Sequence, residues 1–293
     1  MPRLETLRWI LALAALVHLV GFVLTIYSVY ANKDVFVPLC RGFASWPKPT
    51  LGSGFVQPAV IASGGIYLKL LIASFFALSF IFSIVPATIA WPIYVDGVRR
   101  GIRPFKYIEY SFSAAVLTWI VAALNGIQDL HLMILIFAAT TTTMFCGLIQ
   151  EEWAVLMIGL DKQVLWIEFF LPFITGCIPF GTIWYIFFDK FELALQHQPA
   201  GEHIPASVVG FVVAEFLLFS SFAINQFVEM IRIRFATAKV RQNITIQHEL
   251  ATHVLSVTAK AVAGGTLLTG VLAHGRSGGY SNNACAAFGT LVQ

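Results

Sequence analysis

Seven apolar runs decide what this chain can become. Trp9–Tyr30, Ile66–Tyr94, Tyr107–Leu124, Leu130–Ile149, Val164–Phe188, Pro205–Ile231 and His248–Ala273 are each long enough to cross a hydrocarbon core, which takes about 20 residues of helix. Only helices and closed barrels satisfy their backbone polar groups there, and these runs show none of the strict alternation of barrel strands. Charged residues make up only 11% of the 293 residues, against about 25% in soluble domains. The expected fold class is therefore all-α: a seven-transmembrane helix bundle embedded in lipid. Residues 1–273 form one domain and 274–293 a tail. Met1–Arg8 leads into a run long enough to span, so it reads as the start of the first helix and not as a cleaved leader. Pro86 and Pro92 in the second run, and Pro172 and Pro179 in the fifth, read as kinks whose freed backbone groups neighbouring helices re-satisfy. A net charge of +3 gives no reason to expect a nucleic-acid partner.

The basic residues orient the bundle. With seven spans, Arg3, Arg8, Arg99, Arg100, Arg103, Lys106, Lys162, Arg232, Arg234, Lys239 and Arg241 share one side, eleven in all. Lys33, Arg41, Lys48, Lys69, Lys190 and Arg276 make six on the other. The richer side is expected to be cytoplasmic, which puts the N-terminus inside and the C-terminal tail outside. The Asn243-Ile244-Thr245 sequon then lies inside and stays unused. The long outer connection, residues 31–65, carries the β-favouring run Val35-Phe36-Val37. It is either a hairpin over the outer mouth or a mobile loop. Cys146 and Cys177 read as inert fillers. Cys40 and Cys285 fall on the same side, where they could form a bridge or stay free.

Lys260 stands near the middle of the seventh run, in Leu255-Ser256-Val257-Thr258-Ala259-Lys260. It lies about 12 residues, roughly 18 Å of helix, from the start of that run, too deep to snorkel easily. A lysine at that depth costs about 3 kcal/mol on insertion scales and calls for a partner, a depressed pKa or a covalent bond. His18, Glu109, Glu168 and Glu215 also fall inside spans, with Glu168 and Glu229 close enough to their span ends to read as solvated interface residues. Glu109 and Ser113 are i and i+4 on one helix face, as are Ser256 and Lys260, so two such faces could meet in one polar pocket. Counted from the inner ends, Glu109 is shallower than Lys260, so a pairing requires helix seven to project inward or helix three to start early. From spacing alone, a plain Glu109–Lys260 salt bridge and a functional site are equally good readings.

The segment Tyr107-Ile108-Glu109-Tyr110-Ser111-Phe112-Ser113-Ala114, after a basic loop, resembles the third helix of heliorhodopsins. Leu255–Lys260 resembles their seventh, the inverted orientation is similar, and Asn225-Gln226 on span six fits the family's usage more loosely. The resemblance implies a photoreceptor and not an enzyme. It implies a covalent all-trans retinal on Lys260 as a Schiff base, Glu109 as its carboxylate counterion, and Ser113 and Ser256 lining that site. It also implies a homodimer, a signalling partner and a plasma-membrane or host-cell-membrane location. His18 corresponds to a polar-cavity histidine, whereas span two has no histidine to match the family's second one. For the polyene slot the candidates are Trp166, Phe169, Phe170, Phe173, Phe216, Phe219 and Phe222, for which ordinary helix packing is the competing reading, with Met144, Gly147 and Asn225 beside them.

Two functions stay open at this point. One is a light sensor read by a partner. The other is light-driven proton movement, with a relay built from Glu215, Glu109, His18 and Glu168; Glu215 sits near mid-depth of span six, where a carboxylate is expensive. A receptor or transporter without chromophore has no support, since neither a D-R-Y-like nor an N-P-x-x-Y-like signature is present.

Overall fold

A computed structural model describes residues 2–31, 36–41, 61–125, 127–159, 166–196 and 206–274. The side chains of Trp166, Glu168, Phe169, Cys40 and Cys285 lie outside what it describes. Among the described residues there are eight helices and one pair of strands. They run α1 (Pro2–Ala31), β1 (Phe36–Arg41), β2 (Ile61–Tyr67), α2 (Leu68–Ala87), α3 (Trp91–Arg100), α4 (Pro104–Leu124), α5 (Leu130–Gly159), α6 (Trp166–Gln196), α7 (Ala206–Arg234) and α8 (Ala238–His274). Six of these helices (α1, α2, α4, α5, α6 and α7) are long and apolar enough by themselves to cross a membrane.

The second run is not one kinked helix. It breaks into α2 and α3 at residues 88–90, with Pro86 in the last turn of α2 and Pro92 at the start of α3. A proline removes a backbone donor in a helix interior but is tolerated in a first turn. Two prolines six positions apart therefore end one helix and begin the next. Arg8 of α1 reaches the break and donates through Nε to the Ala87 carbonyl at 2.9 Å. The break so gains a partner for one of its freed carbonyls. α3 ends on Gly101, whose φ of 85° is the left-handed C-terminal conformation that glycine adopts without strain. By contrast, α6 carries Pro172 and Pro179 within one continuous helix.

Side-chain distribution is inverted relative to a water-soluble protein. Leu13, Leu16, Val20 and Leu24 on α1, and Leu135 and Ile174 on α5 and α6, are exposed, while His18, Ser79, Glu109, Ser113, Glu215 and Lys260 are buried. Helices in lipid gain nothing by hiding leucine, and they associate through close packing and polar contacts. One such close packing centres on Phe76 of α2. Its ring fills the space that a Cβ would take at Gly21 of α1 and at Gly264 of α8, so two glycines let three helices approach.

β1 and β2 pair antiparallel, Phe36 opposite Tyr67 and Arg41 opposite Ile61, with an irregularity between Pro38 and Cys40. The hairpin reading of the outer connection holds for these strands. Val37, Leu39 and Ile66 are buried in one apolar cluster with Ile127, Met133, Ile136 and Ile183. The hairpin thus closes that end of the bundle with dry contacts.

Candidate functional site

The two polar helix faces meet. Lys260 Nζ donates to Glu109 Oε1 in an ion pair whose side chains are each 6% exposed. Ser113 and Ser256, one turn away on α4 and α8, are buried too. The ring of Tyr110 lies 5.4 Å and that of Phe75 5.8 Å from the ammonium, within the range of cation–π attraction. The depth mismatch is resolved by α8, which starts at Ala238, ten residues before the apolar run. Lys260 follows 22 residues of α8 (260 − 238), about 33 Å of helix, whereas Glu109 follows five residues of α4 (109 − 104), about 8 Å. Helix α8 therefore projects well past the N-terminal end of α4.

A cavity of about 390 Å³ opens at Lys260, inside the 300–1,000 Å³ range typical of ligand sites. Its walls are aromatic: Phe75, Tyr110, Phe173, Phe180, Phe216, Phe219 and Phe222. Met144, Gly147, Ser113, Ser256 and Asn225 line it as well. Gly147 matters because a Cβ there would run into the Tyr107 ring. Asn225 also ties α7 to α8, its Oδ1 lying 2.8 Å from His248 Nδ1 and its Nδ2 3.0 Å from Thr252 Oγ1. Phe170 departs from expectation: it is 46% exposed on α6 and takes no part in the cavity wall. Its position in the helix turns it outward, where a lipid-facing phenylalanine costs nothing.

Glu215 lies in the cavity wall, 3% exposed, and neither carboxyl oxygen has a hydrogen-bond partner among the described residues. The Asn225–His248 and Asn225–Thr252 contacts set the antiparallel register of α7 and α8. Ten residues back along α7 and about ten onward along α8 bring Glu215 to the level of Lys260. His18 is buried beside Phe76, ring centroids 6.3 Å apart, with Nδ1 unpartnered. It belongs to no hydrogen-bonded chain leading to Glu215.

A second polar centre, not anticipated from the sequence, lies toward the arginine-rich end. Arg103, just before α4, donates its backbone N–H to Glu151 Oε2 and its Nε to Glu151 Oε1, both at 2.9 Å. Its Nη2 also bonds Glu151 Oε1 and reaches Glu229 Oε2 at 2.8 Å, and its Nη1 reaches Glu249 Oε2 at 3.3 Å. Burial works against the charge on Arg103, but Glu151, Glu229 and Glu249 outweigh it and hold the guanidinium above its ordinary pKa. Tyr94 donates to Glu249 Oε1 at 2.7 Å and lies 2.8 Å from His253 Nε2. The Tyr107 hydroxyl donates to Glu151 at 2.9 Å and accepts from Gln226 at 2.8 Å, and Gln226 also donates to Gln150. Glu229 is therefore no solvated interface residue: it is 4% exposed, because the part of α8 that precedes its apolar run roofs it over. The available signal was Glu249 and His253 at i,i+4 inside an apolar run.

The groups at the first cavity suit a retinoid aldehyde: a buried primary amine to hold it covalently, a carboxylate beside that amine, and an elongated aromatic slot. A search of curated proteins finds no match to this sequence. The family model for heliorhodopsins matches residues 7–272, which takes in both strands, the whole cavity and the Lys260–Glu109 pair. With nearly its full length matched, this chain is an integral, multi-pass membrane protein of the retinal-binding rhodopsin type and belongs to the heliorhodopsin family.

Proposed function

We propose that the protein is a light-sensing photoreceptor in which Lys260 holds all-trans retinal covalently through Nζ, as a Schiff base, and Glu109 serves as counterion. The observation that carries this reading is the Lys260–Glu109 pair at the end of a 390 Å³ aromatic-lined cavity. When bound, retinal supplies the light absorption and the isomerisation. Glu109 stabilises positive charge at Nζ and fixes how far charge can move away from it on excitation. Ser113 and Ser256 offer hydroxyls beside that nitrogen. Met144, Gly147, Phe219 and Phe222 shape the slot, and Tyr110 and Phe75 keep bulk water from the amine. The N-terminus lies in the cytoplasm and the C-terminal tail outside, as the eleven-to-six distribution of basic residues supports. A homodimer and a cytoplasmic signalling partner complete the reading.

The test is a visible spectrum of the purified protein with all-trans retinal. A visible band should form, vanish in Lys260→Ala, and move to longer wavelength with greater pH sensitivity in Glu109→Gln. A Lys260→Ala protein that keeps the band overturns the proposal. An N-terminal tag that is accessible in intact cells overturns the orientation.

A second reading, light-activated proton movement, is favoured by one observation. Glu215 faces the cavity at the level of Lys260 with both oxygens unpartnered. Voltage clamp under illumination distinguishes the two: a photocurrent lost in Glu215→Gln supports proton movement, and absence of current in the parent leaves the sensor.

A further inference from the structure

We infer that the Arg103-centred cluster is a proton-exchange site at the arginine-rich end of the bundle, with Glu229 carrying the exchangeable proton. Inside the cluster two cations, Arg103 and Lys106, face three carboxylates, Glu151, Glu229 and Glu249. An uncompensated charge in a dry interior is far costlier than a neutralised one. No group of acidic and histidine side chains that could hold a metal ion occurs among the described residues. A single proton is the smallest addition that balances the cluster.

Hydrogen-bond geometry says where that proton sits. Glu151 receives four hydrogen bonds, three from Arg103 and one from Tyr107, with Lys106 3.5 Å away. Glu249 receives Tyr94 and Arg103 and lies 3.3 Å from His253. Among the described residues Glu229 receives only the 2.8 Å bond from Arg103 to Oε2, which leaves its Oε1 the least held of the three carboxylates' oxygens. His253 Nε2 lies 2.8 Å from the Tyr94 hydroxyl and 3.3 Å from Glu249 Oε1, contacts that one ring N–H serves. Tyr107 on α4 and Lys106 also act on Glu229, Arg241 on α8 lines the same second cavity, and Arg232 follows Glu229 at i+3 on α7. Arg232 is exposed and bonds His248 and Gln247, so solvent screens it.

The site has a way out. A second cavity of about 230 Å³ is lined by Glu229, Glu151 and Arg103 and reaches Arg99, Arg100 and Arg241, of which Arg99 and Arg100 are exposed. It also has a seal. Gln150 and Gln226 line both cavities, and their bonds to each other and to Tyr107 stand between Glu229 and Lys260. In water-facing exchange the Glu229 carboxyl gives its proton to a water molecule in the second cavity and becomes a carboxylate paired to Arg103; uptake is the reverse.

The test needs no chromophore, so it stands or falls apart from the retinal reading. The full chain in lipid nanodiscs is titrated in the dark and followed by infrared difference spectroscopy of the carboxylic-acid C=O stretch. A band present at neutral pH should weaken as pH rises, disappear in Glu229→Gln and persist in Glu215→Gln. Glu229→Asp should shift it without loss, which separates removal of the acid from failure to fold. On transfer to D₂O the Glu229 band should exchange roughly tenfold or more faster than that of Glu215, which has no described link to the second cavity. A band that survives Glu229→Gln, or one that goes instead with Glu249→Gln or His253→Asn, overturns the assignment. A band that fails to exchange overturns the proton-exchange role.

Discussion

Arg103→Gln is the substitution with the largest expected effect on the bundle. It removes a buried guanidinium that makes four side-chain hydrogen bonds to three carboxylates. Charge-assisted bonds contribute about 1.5–3 kcal/mol each, but they do not add when their partners can relax. Lys106 can draw closer to Glu151, and the carboxylates can take up protons. The loss expected on breaking a buried pair, about 3–5 kcal/mol, is the better figure. At about 2–4 °C per kcal/mol it corresponds to a fall in Tm of about 6–20 °C. The assay is thermal unfolding of the parent and variant proteins in the same lipid or detergent, followed by far-ultraviolet circular dichroism. The sign of the pH effect follows from the same charges. With Arg103 gone, three buried carboxylates have a single cation, so proton uptake stabilises the variant more than the parent. The difference in Tm should shrink as pH falls from about 8 to about 5. Arg103→Lys should fall between parent and Arg103→Gln, since an ammonium keeps the charge but cannot reproduce the fork toward Glu151 and Glu249. A Tm for Arg103→Gln within about 2 °C of the parent at neutral pH, less than about 1 kcal/mol, would refute the reasoning.

Other perturbations follow from features of the fold. Gly264→Ala drives a methyl into the Phe76 ring between α1, α2 and α8 and should cost about 1–3 kcal/mol, read as a lower Tm that Phe76→Leu partly restores. Tyr94→Phe removes the hydroxyl shared by Glu249 and His253 and should destabilise by about 1–3 kcal/mol; a variant as stable as the parent would show that water replaces it. Val37→Asp puts a carboxylate into the apolar cluster at the outer end. It should release the hairpin, seen as new proteolytic cleavage between β1 and β2 with α-helix content unchanged.

The polar pair at the heart of the bundle was legible in the sequence because its cost was legible. Few residues announce themselves as plainly as a lysine in mid-run, and i,i+4 serines on two helices gave it surroundings. The hairpin could be read from Val35-Phe36-Val37, a β-favouring run in an otherwise irregular connection. Two prolines in one run could be read as a disturbance, although whether they bend or break the helix depends on what caps the break, and Arg8 comes from another helix. The Arg103 cluster was not legible. Its members stand at 103, 151, 229 and 249, each at or just beyond the end of an apolar run, where solvation is the ordinary fate of a charge. Only the ten residues by which α8 outruns its apolar stretch turn those ends into an interior.

The two ends of the bundle are closed in different ways, and that difference gives the molecule a direction. The hairpin end is closed by Val37, Leu39 and Ile66 against Ile127 and Met133, contacts that carry no charge and are indifferent to where a proton sits. The arginine-rich end is held by Arg103 and its three carboxylates, bonds that depend on the charge of both partners, with two tyrosines and two glutamines bonded around them. A rearrangement of charge near Lys260 therefore meets a stiff wall on one side and a responsive lattice on the other. The arginine-rich end, and not the hairpin end, is where a change of charge within the bundle can alter the packing.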